Sequence, residues 1–298
     1  MNSILIVGPT ASGKSGFAQQ LQKKIGGTIV NADSCQVYQN VVILSAQPSI
    51  TEQQQSPHAL YATTPPDQNY SVGHYLDDVR RLLKTNPKQP LIFVGGTGLY
   101  LSALTKGLDV GPSSEKIRKH VQQAAQDMGM EGIYHLLKTE VPNFNVHFNN
   151  HQRLLRAYEI YLSQQETPVG KSQTKPAPLN NTKVILLNPP ADQLRQKIKK
   201  RLGQMITEGA IQEVEFLQKK YPTLGTSAQK IIGIQELSSY LQNTLTLDKA
   251  LEKIYIRTCQ YAKRQRTWFR HKISIDHEIN APWTAHDITS ALDLIKTR

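Results

Sequence analysis

The sequence predicts an α/β fold, in which helices flank an open parallel sheet and a helical segment interrupts the sheet-forming part. Short apolar strand patterns alternate with helical patterns over the first 106 residues. Only helical patterns follow, from about residue 111 to 178, and a further strand pattern lies at 184–187. Strands that alternate with helices pair in parallel and bind ligands at their carboxyl ends. We therefore expect a functional site at that edge of the sheet.

A glycine loop follows the first strand pattern, at residues 3–7. The loop has the form G-x-x-x-x-G-K-[ST] and consists of Gly8, Pro9, Thr10, Ala11, Ser12, Gly13, Lys14 and Ser15. A helical pattern begins directly after it, with Phe17, Leu21 and Ile25 on one face. In this context the backbone N–H groups and the lysine surround a polyphosphate. The fold is therefore predicted to be P-loop NTPase-like, and the Ser15 hydroxyl is a predicted ligand of Mg²⁺.

Two polar side chains are predicted to lie beside this loop. Asp33 follows the second strand pattern, at 28–32, and Thr97 lies in the glycine cluster that closes the third, at 90–94. A carboxylate there can accept a proton or hold Mg²⁺, and a hydroxyl can reach a phosphate oxygen. A helix cap or a tight turn would also explain either residue. No acidic residue directly follows the third strand pattern, which argues against an ATPase motor.

The remaining patterns define the domain organisation. Residues 45–73 are predicted to form a long loop, and helical patterns lie at 75–84 and 99–106. Those of the insertion lie at 115–128, 132–139 and 151–164, before a Pro- and Lys-rich linker at 171–178. Three more follow the last strand, at 191–208, 229–241 and 247–270. We predict a catalytic core of residues 1–112 and 181–298 and a helical insertion domain of residues 113–180.

The composition favours a polyanionic partner. The 298 residues include 35 Lys and Arg against 23 Asp and Glu, a net charge of +12. Basic residues cluster at 195–201 and at 263–272, where Trp268 and Phe269 lie among them. Such segments suit a nucleic-acid backbone and its bases, although an exposed basic helix with aromatics in the core has the same pattern.

No part of the sequence indicates a membrane or an oxidising compartment. No apolar run approaches the roughly 18 residues of a membrane span, and the chain starts without a secretory signal pattern. The two cysteines, Cys35 and Cys259, have no metal-site spacing. We expect a cytoplasmic protein without membrane contact.

The motifs together resemble the tRNA dimethylallyltransferases, the bacterial enzymes that transfer an isopentenyl group to tRNA. The resemblance covers about residues 3 to 270. Its most specific parts are Asp-Ser-Cys-Gln-Val-Tyr at 33–38, Gly-Gly-Thr-Gly-Leu-Tyr at 95–100 and Lys-Arg-Gln-Arg-Thr-Trp at 263–268. Further matching segments are Gln-Arg-Leu-Leu-Arg-Ala at 152–157, Arg201 with Met205, and Gly209 with Glu213.

The resemblance implies a reaction and its participants. A dimethylallyl group would pass from dimethylallyl diphosphate to the exocyclic amine of the tRNA adenosine immediately 3′ of the anticodon, and diphosphate would be released. The glycine loop would bind the donor diphosphate with Mg²⁺, and not necessarily ATP. Asp33 would be the general base, and Thr97 and Arg201 would contact the diphosphate or its leaving oxygen. The enzyme would act as a monomer.

The resemblance also implies that the insertion domain of residues 113–180 binds tRNA, with contacts to the anticodon stem-loop. They would come from Asp33, Ser34, Cys35, Gln36, Thr97, Lys119, Gln152, Arg153, Leu154, Leu155, Arg156, Gln229, Lys230 and Gly233. Three segments depart from the family pattern: residues 44–48 lack its lysine, 148–150 its carboxylate and 232–234 its aromatic residue. These departures concern tRNA binding and leave the glycine loop and Asp33 unchanged.

Other functions remain open on the residues alone. A prenyltransferase acting on free adenine nucleotides would need the same loop and base, but neither the helical insertion nor the basic charge. A P-loop small-molecule kinase would use Asp33 to deprotonate a hydroxyl. A non-catalytic RNA-binding module would not need Lys14, Ser15, Asp33 and Thr97 together.

Overall fold

The structure, a computed structural model, describes residues 3–86, 89–110, 114–166, 173–280 and 282–296. It divides into two compact units. The larger unit contains residues 1–106 and 177–298, and the smaller contains residues 107–176. The inserted unit was expected from the sequence to span residues 113–180. In the structure it begins and ends a few residues earlier.

A six-stranded parallel sheet forms the centre of the larger unit. Its strands are β1 (Ser3–Val7), β2 (Thr28–Asn31), β3 (His58–Ala59), β4 (Leu91–Gly95), β7 (Lys183–Leu187) and β8 (His277–Ile279). They lie in the order β3-β2-β4-β1-β7-β8. Strand β7 pairs in parallel with β1, which confirms that the strand after the insertion rejoins the sheet. Every residue of β1 and β4 is buried, as expected for strands covered by helices on both faces.

In its described residues, 107–110, 114–166 and 173–176, the smaller unit contains three helices and a two-stranded antiparallel pair. The strands are β5 (Leu108–Val110) and β6 (Gln173–Lys175), and the helices are α6 (Glu115–Asp127), α7 (Gly129–Glu140) and α8 (His151–Glu166). The helices enclose a core that includes Ile133, Leu137, Leu154 and Tyr158. The predicted linker at 171–178 is wrong where it covers β6, because a strand of three residues depends on its partner and has little periodicity of its own.

Helices cover both sides of the sheet. Those before the smaller unit are α1 (Lys14–Ile25), α2 (Val42–Ser45), α3 (Ile50–Gln55), α4 (Val72–Thr85) and α5 (Gly98–Lys106). Those after it are α9 (Ala191–Thr207), α10 (Ala210–Lys220), α11 (Ile234–Leu241), α12 (Leu247–Lys272) and α13 (Ala285–Lys296). Within the part of the chain that the structure describes, no helix is both long and apolar enough to span a bilayer.

Several of these elements were not expected from the sequence. Helices α2 and α3 and strand β3 lie inside the predicted loop at 45–73 or at its start, and α10, β8 and α13 had no predicted counterpart. Helix α13 packs its buried Ile288 and Ala291 in the same core cluster as Phe17 and Leu21 of α1. These elements are short or gain their stability from packing, so local patterns alone do not indicate them.

Candidate active site

Three loops meet at the carboxyl edge of the sheet. The loop after β1 contains residues 8–13, the loop after β2 contains Asp33, and the loop after β4 contains Gly96 and Thr97. Glycine is required at position 8, because a Cβ there would lie 2.4 Å from the backbone oxygen of Leu187, at the end of β7. This close approach brings the glycine loop at residues 8–15, called the phosphate loop below, against the end of β7.

The phosphate loop is closed by its own hydrogen bonds. Ser12 N–H donates to the Pro9 oxygen at 3.3 Å, and the Lys14 ammonium donates to the same oxygen at 2.8 Å. Gly13 has a left-handed backbone, with φ 92°, from which α1 begins. Burial, with a smaller effect of the Arg201 charge, lowers the pKa of Lys14 to about 8 against the opposing charge of Asp33. Lys14 therefore titrates far closer to neutral pH than an ordinary lysine.

A cation-lined cavity of about 530 Å³ opens in front of this loop. Four basic side chains line it: Lys14, Lys197, Lys200 and Arg201. Helix α9 supplies the last three, at i, i+3 and i+4, which places them on one face of the helix. Ser15 also lines the cavity and is exposed to it. Backbone N–H groups, a helix start and four cations together suit a polyphosphate.

A smaller apolar pocket of about 90 Å³ adjoins this cavity. Its aliphatic lining consists of Leu44, Ile198, Leu202, Met205, Ile231, Ile232 and Ile254. The two spaces share five lining residues: Thr10, Ala11, Asp33, Ser45 and Arg201. A ligand with an anionic head and a short hydrocarbon tail would therefore have its junction beside Asp33.

The Asp33 carboxylate is oriented by its neighbours. The Asp33 backbone N–H donates to Asn31 Oδ1 at 2.7 Å, and the Cys35 N–H donates to Asp33 Oδ1 at 3.0 Å. The Asn31 side chain is fully buried and donates from Nδ2 to the backbone oxygens of Asp33 and Leu60, both at 3.0 Å. Burial, reinforced by the Asp33 charge, raises the pKa of the Cys35 thiol well above its usual range. Cys35 is therefore a neutral neighbour of the carboxylate.

Of the other two predicted catalytic residues, Arg201 lies at the junction and Thr97 lies behind it. Arg201 lines both spaces, and its guanidinium donates to Thr10 Oγ1 at 3.3 Å. Thr97 lines neither of them; its Oγ1 accepts from Ser34 N–H at 2.9 Å. Thr97 thus holds the segment that follows Asp33, and a contact with the diphosphate stays a prediction.

The segment at 42–46 forms part of the wall between the two spaces. Glu213 holds it, because its carboxylate accepts N–H bonds from Val42, Ile43 and Leu44 at 2.7, 2.7 and 3.0 Å. The Gln36 amide holds the other end, donating to the oxygens of Ser45 at 3.0 Å and Ala46 at 2.6 Å. Gln36, predicted to contact tRNA, thus has its N–H₂ group engaged within the protein.

Two protein-family models together match most of the chain. Residues 36–272 match the model described as IPP transferase, and residues 1–64 match the model described as isopentenyl transferase. The chain belongs to the IPP transferase family. The fold and the resemblance expected from the sequence motifs are thereby confirmed.

Individual relatives of this IPP transferase agree with the family match. The chain is 38% identical over 283 residues to the tRNA dimethylallyltransferase of Chelativorans sp., covering 92% of this chain and 97% of the relative. It is 39% identical over 274 residues to the enzyme of the same name from Bartonella henselae, covering 90% and 94%. The crystal structure of the full-length tRNA isopentenylpyrophosphate transferase from Bacillus halodurans superposes with a TM-score of 0.71 at 28% identity, covering 99% and 95%.

The predicted tRNA contacts of this IPP transferase differ in their accessibility. In the smaller unit, Gln152 and Arg153 are exposed on α8, whereas the Leu154 side chain is fully buried in the core and is not available to a ligand. Arg156 pairs with Glu159 at 2.6 Å. Lys119 is exposed on α6 and pairs with Glu115 at 3.2 Å.

In the larger unit, Gln229 and Lys230 are exposed, but Gly233 is buried, and a Cβ on it would lie 2.6 Å from Leu44 Cδ2. Gly233 therefore allows α11 to approach the segment at 42–46, whose Leu44 lines the apolar pocket. The sequence motifs included Glu213 and Gln265 without indicating a role for either. The aliphatic lining of the pocket had no sequence signal, since its members come from four separate segments.

Proposed function

We propose that this chain transfers a dimethylallyl group from dimethylallyl diphosphate to the exocyclic amine of the tRNA adenosine immediately 3′ of the anticodon, releasing diphosphate. The names of its relatives support tRNA prenylation. The observation that carries the proposal is the position of Asp33, at the junction of a cation-lined cavity and an apolar pocket. A nucleoside triphosphate has no hydrocarbon group beside its phosphates that could fill an aliphatic pocket.

The donor diphosphate would lie in the cation-lined cavity. As the bond between carbon and the diphosphate oxygen breaks, the electron pair leaves with the diphosphate and negative charge grows there. Lys14, Arg201 and the N–H groups of the loop stabilise that charge more in the transition state than in the ground state, which is the condition for acceleration. The dimethylallyl group would lie in the apolar pocket, whose aliphatic walls exclude water that would otherwise compete as nucleophile.

Asp33 would serve as the general base. The adenine amine is a weak nucleophile, because its lone pair is delocalised into the ring. While the new carbon–nitrogen bond forms, the amine must lose a proton, and the Asp33 carboxylate accepts it. The Cys35 N–H bonds the carboxylate directly and the Asn31 side chain holds the Asp33 backbone, so the base need not reorganise during the reaction.

Mg²⁺ would bind through Ser15. Among the residues that the structure describes, no three acidic, histidine or cysteine side chains form a metal cluster. Ser15 would hold Mg²⁺ together with the donor phosphates, since Mg²⁺ keeps several waters and needs few protein ligands. When bound, Mg²⁺ would neutralise part of the diphosphate charge. Ser15 is exposed in the cation-lined cavity, where such a ligand is needed.

Incubation of the purified chain with unmodified tRNA, dimethylallyl diphosphate and Mg²⁺, followed by nucleoside mass spectrometry, tests the proposal. We expect a prenylated adenosine at the position 3′ of the anticodon, and about 10²-fold or greater loss of turnover in Asp33→Asn with nearly unchanged tRNA affinity. Parallel reactions offer adenosine monophosphate as acceptor, or ATP with small hydroxyl acceptors. Prenylation of the mononucleotide alone, or phosphoryl transfer without prenylation, would overturn the proposal.

A further inference from the structure

One buried glutamine of α12 lies between two loops of the site. The Gln265 side chain, 5% exposed, uses both ends of its amide. Its Oε1 accepts from Thr10 N–H at 2.8 Å, and its Nε2 donates to the Gly96 oxygen at 2.9 Å. A Cβ on Gly96 would lie 2.2 Å from that Nε2, so only glycine allows the loop after β4 to approach the amide this closely.

Each end of the amide leads to a different half of the site. Thr10 belongs to the phosphate loop, and its Oγ1 accepts from Arg201 at the junction of the two spaces. Gly96 precedes Thr97, whose Oγ1 accepts from the backbone N–H of Ser34. Ser34 follows Asp33 in the chain. Gln265 thus connects the phosphate-binding side to the segment that carries the base.

We propose that Gln265 is a positioning residue for prenyl transfer, which fixes the separation of the donor diphosphate and the Asp33 carboxylate by holding the phosphate loop and the loop after β4 together. The inference rests on the proposed function. A displacement of about 1 Å between reacting groups can reduce a rate by about 10²-fold. Loss of the two Gln265 hydrogen bonds would allow such a displacement between the two halves of the site and would therefore lower the rate of prenyl transfer.

Glutamine is the side chain that fits this role. Its amide presents one acceptor and one donor on a single plane, which matches the Thr10 N–H on one side and the Gly96 oxygen on the other. Methionine has similar length and no hydrogen-bonding group of comparable strength. An ionised glutamate can accept from Thr10 but places a second acceptor against the Gly96 oxygen. A protonated glutamic acid has a donor again and restores both bonds.

The test compares Gln265→Met and Gln265→Glu with the unmodified chain, using tRNA, dimethylallyl diphosphate and Mg²⁺. For Gln265→Met we expect kcat to fall at least about tenfold at every pH, with KM for tRNA changed less than about threefold. For Gln265→Glu we expect the ratio of its kcat to that of the unmodified chain to rise as the pH falls from 9 to 6, because burial raises the pKa of a carboxyl group. Gln20→Glu, exposed on α1, is the matched control and should show a constant ratio.

The outcomes separate this inference from the proposed function. If the unmodified chain does not prenylate tRNA, the proposed function fails. If it does, and Gln265→Met has a kcat within twofold of it, the inference fails. A pH-independent ratio for Gln265→Glu also overturns it, since loss of packing alone would not respond to protonation. Thermal unfolding is followed for each variant, and if Gln265→Met is unfolded at the assay temperature, the pH ratio of Gln265→Glu decides.

Discussion

The lysine of the phosphate loop should make diphosphate binding sensitive to pH in a range where lysines ordinarily do not titrate. Burial, with a smaller effect of Arg201, lowers the pKa of Lys14 to about 8 against the opposing charge of Asp33. Lys14 is therefore charged below about pH 8 and neutral above it. Because the diphosphate is attracted by the charged form, its affinity should fall as the pH rises through that value.

The size of the effect follows from the fraction of charged lysine. With a pKa of about 8, Lys14 is about nine-tenths charged at pH 7 and about one-tenth charged at pH 9. When only the charged form binds, the apparent dissociation constant is the intrinsic constant divided by that fraction, so it should increase about tenfold. A lysine with the ordinary pKa of about 10.4 would remain almost fully charged over the same range.

Isothermal titration calorimetry with inorganic pyrophosphate measures this at pH 7, 8 and 9. Pyrophosphate itself titrates, so the dissociation constant is divided at each pH by that of Lys14→Arg, whose guanidinium stays charged throughout. The ratio should increase about tenfold from pH 7 to pH 9. A flat ratio would refute the reasoning, because it would mean that Lys14 keeps an ordinary pKa or does not contact the diphosphate.

Three further predictions address the apolar pocket, its wall and the basic face of α8. Met205→Phe should narrow the apolar pocket and increase KM for dimethylallyl diphosphate about tenfold while leaving pyrophosphate inhibition unchanged; equal changes in both would place the prenyl group elsewhere. Glu213→Gln should lower the free energy of unfolding by about 2 kcal/mol, because three N–H donors lose their carboxylate. Urea denaturation measures the change. The control is Glu215→Gln, whose exposed carboxylate pairs with Lys219 and whose loss should lower the free energy of unfolding by less than about 0.5 kcal/mol. Equal losses in the two variants would contradict the role of Glu213 in holding the segment at 42–46. Arg153→Ala should reduce the slope of log K for tRNA against log salt by about 0.7–0.9, whereas Lys24→Ala on α1 should not, and identical slopes would mean that Arg153 does not contact a phosphate.

The functional edge of the sheet could be predicted from the sequence because its signals are local. The glycine loop at 8–15 needs only its own residues and the strand and helix on either side of it. Asp33 and Thr97 follow strands with clear apolar patterns, and carboxyl ends of parallel strands meet at one edge whatever the strand order. The interrupted sheet was predictable for a similar reason, since the strand at 184–187 keeps its pattern after a long helical stretch.

Short helices and strands, and the contacts between distant segments, could not be predicted in this way. Strand β8 exists because three residues pair with β7, and α13 exists because Ile288 and Ala291 pack in the core with α1. Leu154 lies within the motif at 152–157 that was predicted to contact tRNA, but its position on α8 points its side chain into the core. A local pattern does not indicate which neighbour a short segment will find.

The sequence by itself determined that a glycine loop of the phosphate-binding pattern and a carboxylate lie at one edge of an α/β sheet. Only the tertiary structure decided what adjoins them: an aliphatic pocket whose walls come from separate segments, the three N–H bonds from Val42, Ile43 and Leu44 to Glu213, and the Gln265 amide between Thr10 and Gly96. The physical reason is the separation along the chain of the residues that form each feature. A loop motif binds through its own backbone, whereas a pocket and a buried bridge require groups from distant parts of the chain, brought together when burial of apolar surface closes the core.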